Sequence, residues 1–127
     1  MYKFFNPNPI AARTKDCVIR AISAIFGITW DEAFDILAER AKQMGATMDE
    51  NAVYGSIMRQ EGFYKAVLPA SCPDCFTAGE FADTHPVGDY ILGFDGHVAA
   101  LIDGVILDSF DCSDEIVYYY WAEQEGD

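Results

Sequence analysis

The chain has 127 residues, which is enough for one domain and too few for two of ordinary size. Hydrophobic residues make up 51% of it and aromatic residues 14%, which excludes global disorder. The 21 acidic and 8 basic residues give a formal charge of -13, which excludes nucleic acid as a partner because phosphate backbones would be repelled. This charge is typical of a solvated acidic surface, and it would also suit a basic peptide or protein partner.

No membrane span or export signal is expected from the sequence. No apolar run reaches the roughly 18 residues that a membrane span needs. The N-terminus has no long apolar stretch ahead of a cleavage site, so no signal peptide is expected. We therefore expect a cytoplasmic protein without a membrane partner, in which cysteines are more often catalytic, metal-binding or buried than disulfide-bonded.

The first half of the chain is predicted to be helical after an irregular arm. Residues 1–13 form that arm, because Asn6-Pro7-Asn8-Pro9 disfavours a helix. Apolar residues at helical spacing predict helices that begin near Asp16 and Thr29 and near residue 49, and a short helix follows at 77–82. Gly27, Gly45 and Gly62 are the expected stops of the first three.

The second half of the chain is predicted to be mostly strands. Runs rich in β-branched and aromatic residues lie at 64–68, 90–94, 97–102, 105–110 and 116–121. Helices followed by a meander of strands predict the α+β class with an antiparallel sheet, in one domain that spans 1–127.

Cys17 is the first candidate for chemistry. If Asp16 caps the first helix, Cys17 is its first residue, where free backbone N–H groups and the helix dipole favour the thiolate. The backbone N–H of Cys17 would also point out of the helix end, ready to donate to an oxyanion. Position alone leaves the alternative of a buried structural cysteine open.

A predicted hairpin fixes the register of two strands. Asp103-Gly104 lies between two β-rich runs, and Asp-Gly is a favoured two-residue type I′ turn. This turn pairs Ile102 with Val105 and Ala99 with Asp108.

The register brings a histidine and a carboxylate onto one face. Side chains alternate along a strand, so His97 and Ala99 share a face with Asp108. His97 and Asp108 are then diagonal neighbours, about 7–8 Å apart along the backbone, with small Ala99 leaving room between them. Asp103 lies in the turn and Asp111 points to the opposite face, so Asp108 is the acid expected to orient His97.

Four motifs together resemble those of papain-like cysteine peptidases, and more closely those of small uncharacterised proteins from Firmicutes bacteria and their phages. The motifs are an Asn-Pro element, an Asp-Cys-x-x-Arg-Ala-Ile helix, a Cys-Pro-x-Cys loop and a Gly-His-Val…Asp-Gly…Asp ending. They lie here at Asn8-Pro9, Asp16–Ile22, Cys72–Cys75 and Gly96–Asp108. The resemblance spans nearly the whole chain.

The resemblance implies a papain-like fold, in which the helix that carries Cys17 packs on an antiparallel sheet presenting His97 and Asp108. It implies cysteine-peptidase chemistry, with Cys17 as nucleophile, His97 as base and Asp108 as the orienting acid. The substrate would be a peptide, isopeptide or related amide in a peptide or protein, and no cofactor is expected.

One position departs from the papain-like pattern. These enzymes usually carry a Gln about six residues before the nucleophile, and that position is Ala11 here. Asn8 is the nearest amide and is expected to donate to the oxyanion beside the Cys17 backbone N–H, with Asn6 as a weaker candidate. If neither side chain reaches the site, the alternative is a non-catalytic papain-like binding module.

The motif Cys72-Pro73-Asp74-Cys75 has several interpretations. A tight loop with two semi-buried thiols, or with a reversible disulfide, is favoured over thioredoxin-like redox chemistry, because the strands that follow are antiparallel. Zinc needs four ligands. Cys72, Cys75, His85 and Cys112 are weak candidates, and no metal site is expected.

Overall fold

The computed structural model describes residues 1–69 and 71–124, and this part of the chain forms an α+β fold. The helices are α1 (Cys17–Phe26), α2 (Trp30–Met44), α3 (Asn51–Gln60) and α4 (Ala78–Thr84). The strands are β1 (Tyr2–Phe4), β2 (Phe63–Val67), β3 (Asp89–Phe94), β4 (His97–Ile102), β5 (Val105–Asp108) and β6 (Tyr119–Glu123). None of these helices is long and apolar enough to cross a membrane.

Helix α2 begins and ends as its sequence predicts. The Thr29 side chain accepts a hydrogen bond from the backbone N–H of Glu32, and Glu32 bonds back to the N–H of Thr29, which completes a capping box. Gly45 ends the helix in the left-handed conformation, with φ of 65°.

Helix α1 departs from its prediction at the N-terminus. Asp16 occupies the N-cap position, but its side chain makes no capping hydrogen bond. Its carboxylate instead accepts hydrogen bonds from Arg20 and from the indole N–H of Trp30. The Asp16 side chain therefore forms hydrogen bonds with Arg20 and Trp30 instead of capping the helix.

The six strands form one sheet in the order β1-β5-β4-β3-β6-β2. The arm predicted to be irregular over 1–13 contains β1, which pairs with β5 in parallel, so the sheet is not wholly antiparallel. The prediction was wrong there because three residues are too few for a strand pattern, and Asn6-Pro7 lies just beyond them. The last strand begins at Tyr119, later than the predicted start at residue 116.

The sheet separates two apolar clusters. Helices α1, α2 and α3 cover one face, and α4 covers the other. Neighbouring residues of β3 point to opposite faces, so Ile91 joins the first cluster and Leu92 the second. Large buried members of the first cluster are Ile22, Leu37, Val53, Met58 and Trp121. Those of the second are Phe81, Leu101, Ile106 and Val117.

The hairpin between β4 and β5 has the predicted register. Asp103 and Gly104 both have positive φ, at 48° and 78°, as a type I′ turn requires. Ile102 pairs with Val105, and the ladder continues towards the start of β4. This register is confirmed, and it brings the start of β4 beside the end of β5.

Replacement of Gly93 by Ala should destabilise the fold. A Cβ at Gly93 would lie 2.1–2.3 Å from ring atoms of Tyr119, which packs flat on this strand position. Overpacking of this kind costs about 1–3 kcal/mol in the free energy of unfolding, measurable by urea denaturation. The cost should be much smaller when Gly93→Ala is made in a Tyr119→Ala background. An equal cost in both backgrounds would contradict the contact.

Candidate active site

The candidate site lies where α1 begins, beside the ends of two strands. Cys17 is the first residue of α1 and is partly exposed. Its thiol lies beside His97 and Val98 at the start of β4, and the His97 side chain and the Val98 backbone N–H both lower its pKa. The start of α1 therefore places Cys17 beside the first residues of β4.

His97 and Asp108 are joined by a short hydrogen bond. The distance from Nε2 of His97 to Oδ2 of Asp108 is 2.5 Å. His97 is the first residue of β4 and Asp108 the last of β5, so the hairpin register brings them together. Because Nε2 is bound to Asp108, Nδ1 is the ring nitrogen left for Cys17.

Asp108 is the most heavily bonded group of the site, and it is 0% exposed. Besides His97, its carboxylate accepts from Nη2 of Arg20 at 2.9 Å and from the backbone N–H of Ser109 at 2.7 Å. The buried thiol of Cys112 is a further neighbour. These donors satisfy a carboxylate that has no access to water.

Arg20 links Asp108 to a second buried carboxylate. Its Nη1 donates to Asp16 at 2.5 Å, and the other oxygen of Asp16 accepts from Trp30 Nε1 at 2.9 Å. No local pattern in the sequence predicts these roles of Arg20 and Trp30. The i, i+4 spacing of Asp16 and Arg20 was the available signal, but such pairs usually lie on exposed helix faces.

The surroundings of Cys17 and His97 favour their charged forms. Burial raises the pKa of the Cys17 thiol, but the hydrogen bonds from His97 and Val98 and the charges of His97 and Arg20 outweigh burial and lower it. Burial lowers the pKa of His97, but its bonds to Asp108 and Cys17 and their negative charges raise it to about 9. Both shifts act in the direction of a thiolate–imidazolium pair.

Asp108 is held ionised, while the second free cysteine is held neutral. Burial raises the pKa of Asp108, but the His97 bond and charge, with Ser109 and Arg20, bring it below its ordinary value. Burial, the Asp108 charge and a hydrogen bond to Asp108 raise the pKa of Cys112. Of the two free thiols in the described residues, only Cys17 is therefore suited to act as a nucleophile.

Aromatic rings enclose the imidazole. The rings of Phe110 and His97 have centroids 4.9 Å apart, and Phe94 lies 5.8 Å away on a nearly parallel plane. Phe110 is 48% exposed, so it forms the outer cover. The rings restrict the orientation of His97 and limit water around its bond to Asp108.

Two adjoining cavities meet at Cys17 and His97. The larger has a volume of about 680 Å³ and is also lined by Arg13, Lys15 and Phe110. The smaller, about 190 Å³, lies towards Tyr119. The cysteine is thus open to a bound molecule on two sides.

The side-chain amide expected at the oxyanion is not brought to this cleft. Oδ1 of Asn8 accepts from the backbone N–H groups of Ile10 and Ala12, at 3.1 and 3.3 Å. Asn6 donates to the carbonyl of Ala12. Within the described ranges neither asparagine lines the cleft, so the oxyanion role expected for Asn8 stays a prediction. The arm uses both amides for its own turn.

The other two acids considered for His97 lie elsewhere. Asp111 accepts from the backbone N–H of Ser113 at 3.0 Å, and Asp103 accepts from the N–H of Gly88 at 2.9 Å. Asp111 stabilises its own turn, and Asp103 ties the β4–β5 turn to the residue before β3. Asp108 is therefore the acid that contacts His97 among the described residues.

The weak metal candidates do not come together as a four-ligand site. Cys72 and Cys75 are joined in a disulfide, and Nδ1 of His85 lies 2.8 Å from the carbonyl of Phe81. Cys112 instead lies near His97 and Asp108, with one possible ligand atom of each within 4.8 Å of the others. These three donors could hold a metal only by giving up the His97–Asp108 hydrogen bond.

Comparisons with known proteins do not assign the chain to a family. No family model matches the chain, and no curated protein or solved structure is similar to it. The function is therefore inferred from the residues of the site.

Replacement of Arg20 by Met should strongly destabilise the protein. It would leave the buried carboxylates of Asp16 and Asp108 without their shared cation, and breaking such a network costs about 3–5 kcal/mol. Arg59→Met is the matched control, because the exposed Arg59 only covers Trp121, with its guanidinium carbon 5.0 Å from the ring centroid. Chemical denaturation measures both; equally small losses would contradict a structural role for the network.

The contribution of His97 to stability should depend on pH. Its pKa is about 9 in the folded protein against an ordinary value of 6.5, so the folded state binds the proton more tightly. The stabilisation is complete below 6.5 and is lost as the pH rises through about 9. Because the lowered pKa of Cys17 changes proton binding over the same range, the comparison is made without that thiol: the free energy of unfolding of Cys17→Ala minus that of the Cys17→Ala/His97→Gln double variant should shrink as the pH rises above 6.5. A difference that is constant with pH would contradict the charged pair.

Proposed function

We propose that the protein is a papain-like cysteine hydrolase that cleaves a peptide, isopeptide or related amide bond in a peptide or protein substrate. The observation that carries the proposal is the sequence of contacts from Cys17 to His97 to Asp108. A nucleophile, a base and an orienting acid arranged in this way are the parts of a catalytic triad.

The proposed reaction begins with attack of the Cys17 thiolate on the substrate carbonyl. The carbonyl oxygen becomes an oxyanion, which the backbone N–H of Cys17 is free to stabilise because the first N–H groups of a helix have no partner within it. The His97 imidazolium then protonates the leaving amine, and the C–N bond breaks to give a thioester. Neutral His97 next takes a proton from water, whose hydroxide attacks the thioester and releases the acid and the thiolate.

Asp108 and Arg20 support this cycle without touching the substrate. Asp108 holds Nε2 of His97 and stabilises the imidazolium, as the acid of a triad does. Arg20 helps to keep Asp108 ionised and fixes it relative to the helix that carries Cys17. Both are positioning residues in this proposal.

The papain-like fold is part of the same proposal. Its support is the packing of α1, with the nucleophile at its first residue, against β4 of a largely antiparallel sheet. The positions of His97 and Asp108 at adjoining strand ends agree with the motifs that carry the resemblance.

A non-catalytic papain-like binding module is the second candidate. The observation that favours it is that, among the described residues, neither Asn8 nor Asn6 lines the cleft beside Cys17, so the Cys17 backbone N–H lacks a second amide donor of the expected kind there. A chromogenic thioester or activated ester separates the candidates: an enzyme turns over repeatedly, whereas a binding module releases at most one equivalent of leaving group.

Cys17 should react with iodoacetamide faster than Cys112, and about tenfold faster than Cys17 in His97→Ala. The reason is that His97 favours the thiolate, whereas an ordinary thiol is only a few per cent ionised at neutral pH. Peptide mapping by mass spectrometry gives the rate at each cysteine. The pH profile of Cys17 labelling should extend further to the acid side in wild type than in His97→Ala.

Asp108→Asn and Asp111→Asn form a matched pair for the same assay. Asp108→Asn should slow labelling of Cys17 and impair turnover, because the imidazolium loses its partner. Asp111→Asn should do neither, because that side chain bonds only within its own turn. Equal labelling of Cys17 in wild type and His97→Ala would remove the activated thiolate and the proposed enzyme with it.

A further inference from the structure

The charge of this protein is unevenly divided along the chain. Residues 1–65 contain eight acidic and eight basic residues, whereas residues 66–127 contain thirteen acidic residues and no Lys or Arg. Every fixed cation of the protein therefore comes from the first half, which also supplies the helix with Cys17. The net charge alone does not describe the charge at the cleft.

Four of the eight basic side chains are engaged elsewhere. Arg20 is buried between two carboxylates, Arg40 bonds to Ser56 and Gln60, and Arg59 and Lys65 lie over the rings of Trp121 and Tyr119. Of the remaining four, Arg13 and Lys15 both line the larger cavity at Cys17 and are exposed. In the part of the chain that the structure describes, neither forms an ion pair.

The acids at this cavity offset only part of the charge of these two cations. Asp16 is paired with Arg20, and Asp108, beneath the cavity, is paired with Arg20 and His97. Asp49 is the one other acid of the lining; it accepts a hydrogen bond from the neutral Thr47 hydroxyl at 2.8 Å and keeps its charge, so it offsets one of the two cations.

The charge of Arg13 acts on Tyr2, which contacts the end of β5. Burial and the charges of Asp108, Asp111 and Cys112 raise the pKa of the Tyr2 hydroxyl, and the charge of Arg13 opposes this rise. The Tyr2 hydroxyl donates to the backbone carbonyl of Asp108 at 3.1 Å. The Arg13 charge is therefore near the end of β5 that holds the orienting acid.

We infer that the substrate presents a carboxylate, on a side chain or at a chain end, to Arg13 and Lys15 beside the bond that Cys17 attacks. This inference rests on the proposed hydrolase and names its substrate class. The overall charge of -13 favours a basic partner at the remaining surface, but charges more than about 8 Å away are largely screened at physiological salt. Local cations therefore decide the preference inside the cleft.

The test compares two alkylating reagents of similar size at Cys17. Iodoacetate carries a carboxylate and iodoacetamide does not, so the ratio of their rate constants reports the charge of the cleft and cancels changes in thiolate content. Arg13→Gln and Lys15→Gln should each lower this ratio about threefold at moderate salt. The removal of one unit charge within the cleft changes the rate constant of an anionic reagent by about this factor. Lys42→Gln, an exposed change at the far end of α2, is the matched control and should leave the ratio unchanged.

The two proposals fail in different ways. Slow labelling by both reagents, equal in wild type and His97→Ala, would overturn the hydrolase. Rapid labelling with the same reagent ratio in Arg13→Gln, Lys15→Gln and Lys42→Gln would overturn the carboxylate preference alone. A ratio lowered only by Arg13→Gln and Lys15→Gln supports it.

Protection experiments identify the source of the carboxylate. Acetyl-Ala-Glu-amide carries it on a side chain, acetyl-Ala-Gln with a free C-terminus carries it at the chain end, and acetyl-Ala-Gln-amide is neutral. The peptide that slows iodoacetamide labelling of Cys17 at least threefold more than the neutral one has the preferred group, and Lys15→Gln should remove its advantage. Equal protection by all three peptides would overturn the proposal.

Discussion

A buried carboxylate is the constraint on which the rest of the structure depends. Asp108 is fully enclosed, and an ionised carboxylate in that position is tolerated only with several donors around it. The donors come from three places in the chain: Arg20 on α1, His97 on β4 and the backbone after β5. The hydrogen bonds to Asp108 therefore fix the helix, the hairpin and the imidazole relative to one another.

Charges of opposite sign alternate through the site. Asp16, Arg20, Asp108, His97 and Cys17 follow one another through direct contacts, with the thiolate at the exposed end. Each charge stabilises its neighbours, so the removal of a charge at one end of this series alters the pKa values of the groups at the other end. Fold stability and thiol activation are for this reason not separable in this protein: the same ion pairs serve both.

The sequence predicted those parts of the site that depend on short-range rules. The Asp103-Gly104 turn and strand alternation were enough to bring His97 to Asp108, and helix-start chemistry was enough to single out Cys17. The role of Arg20 could not be predicted, because whether an i, i+4 pair is buried depends on long-range packing. The engagement of Asn8 depends on loop geometry, and the strand β1 on a partner far along the chain, so neither leaves a local pattern.

The first strand closes the sheet at the edge that carries the acid. The backbone carbonyl of Asp108 accepts from the N–H of Phe5 at 2.7 Å as well as from the Tyr2 hydroxyl, so β1 is attached directly to the residue that orients His97. An uncovered β5 would present free backbone groups to any other extended chain, which is how sheets come to associate edge to edge. The segment at the N-terminus thus does two things at once: it shields β5 from foreign strands, and it holds the backbone of Asp108 still. A tag or binding protein that displaces these residues would both loosen the site and expose a strand edge that can pair with other chains.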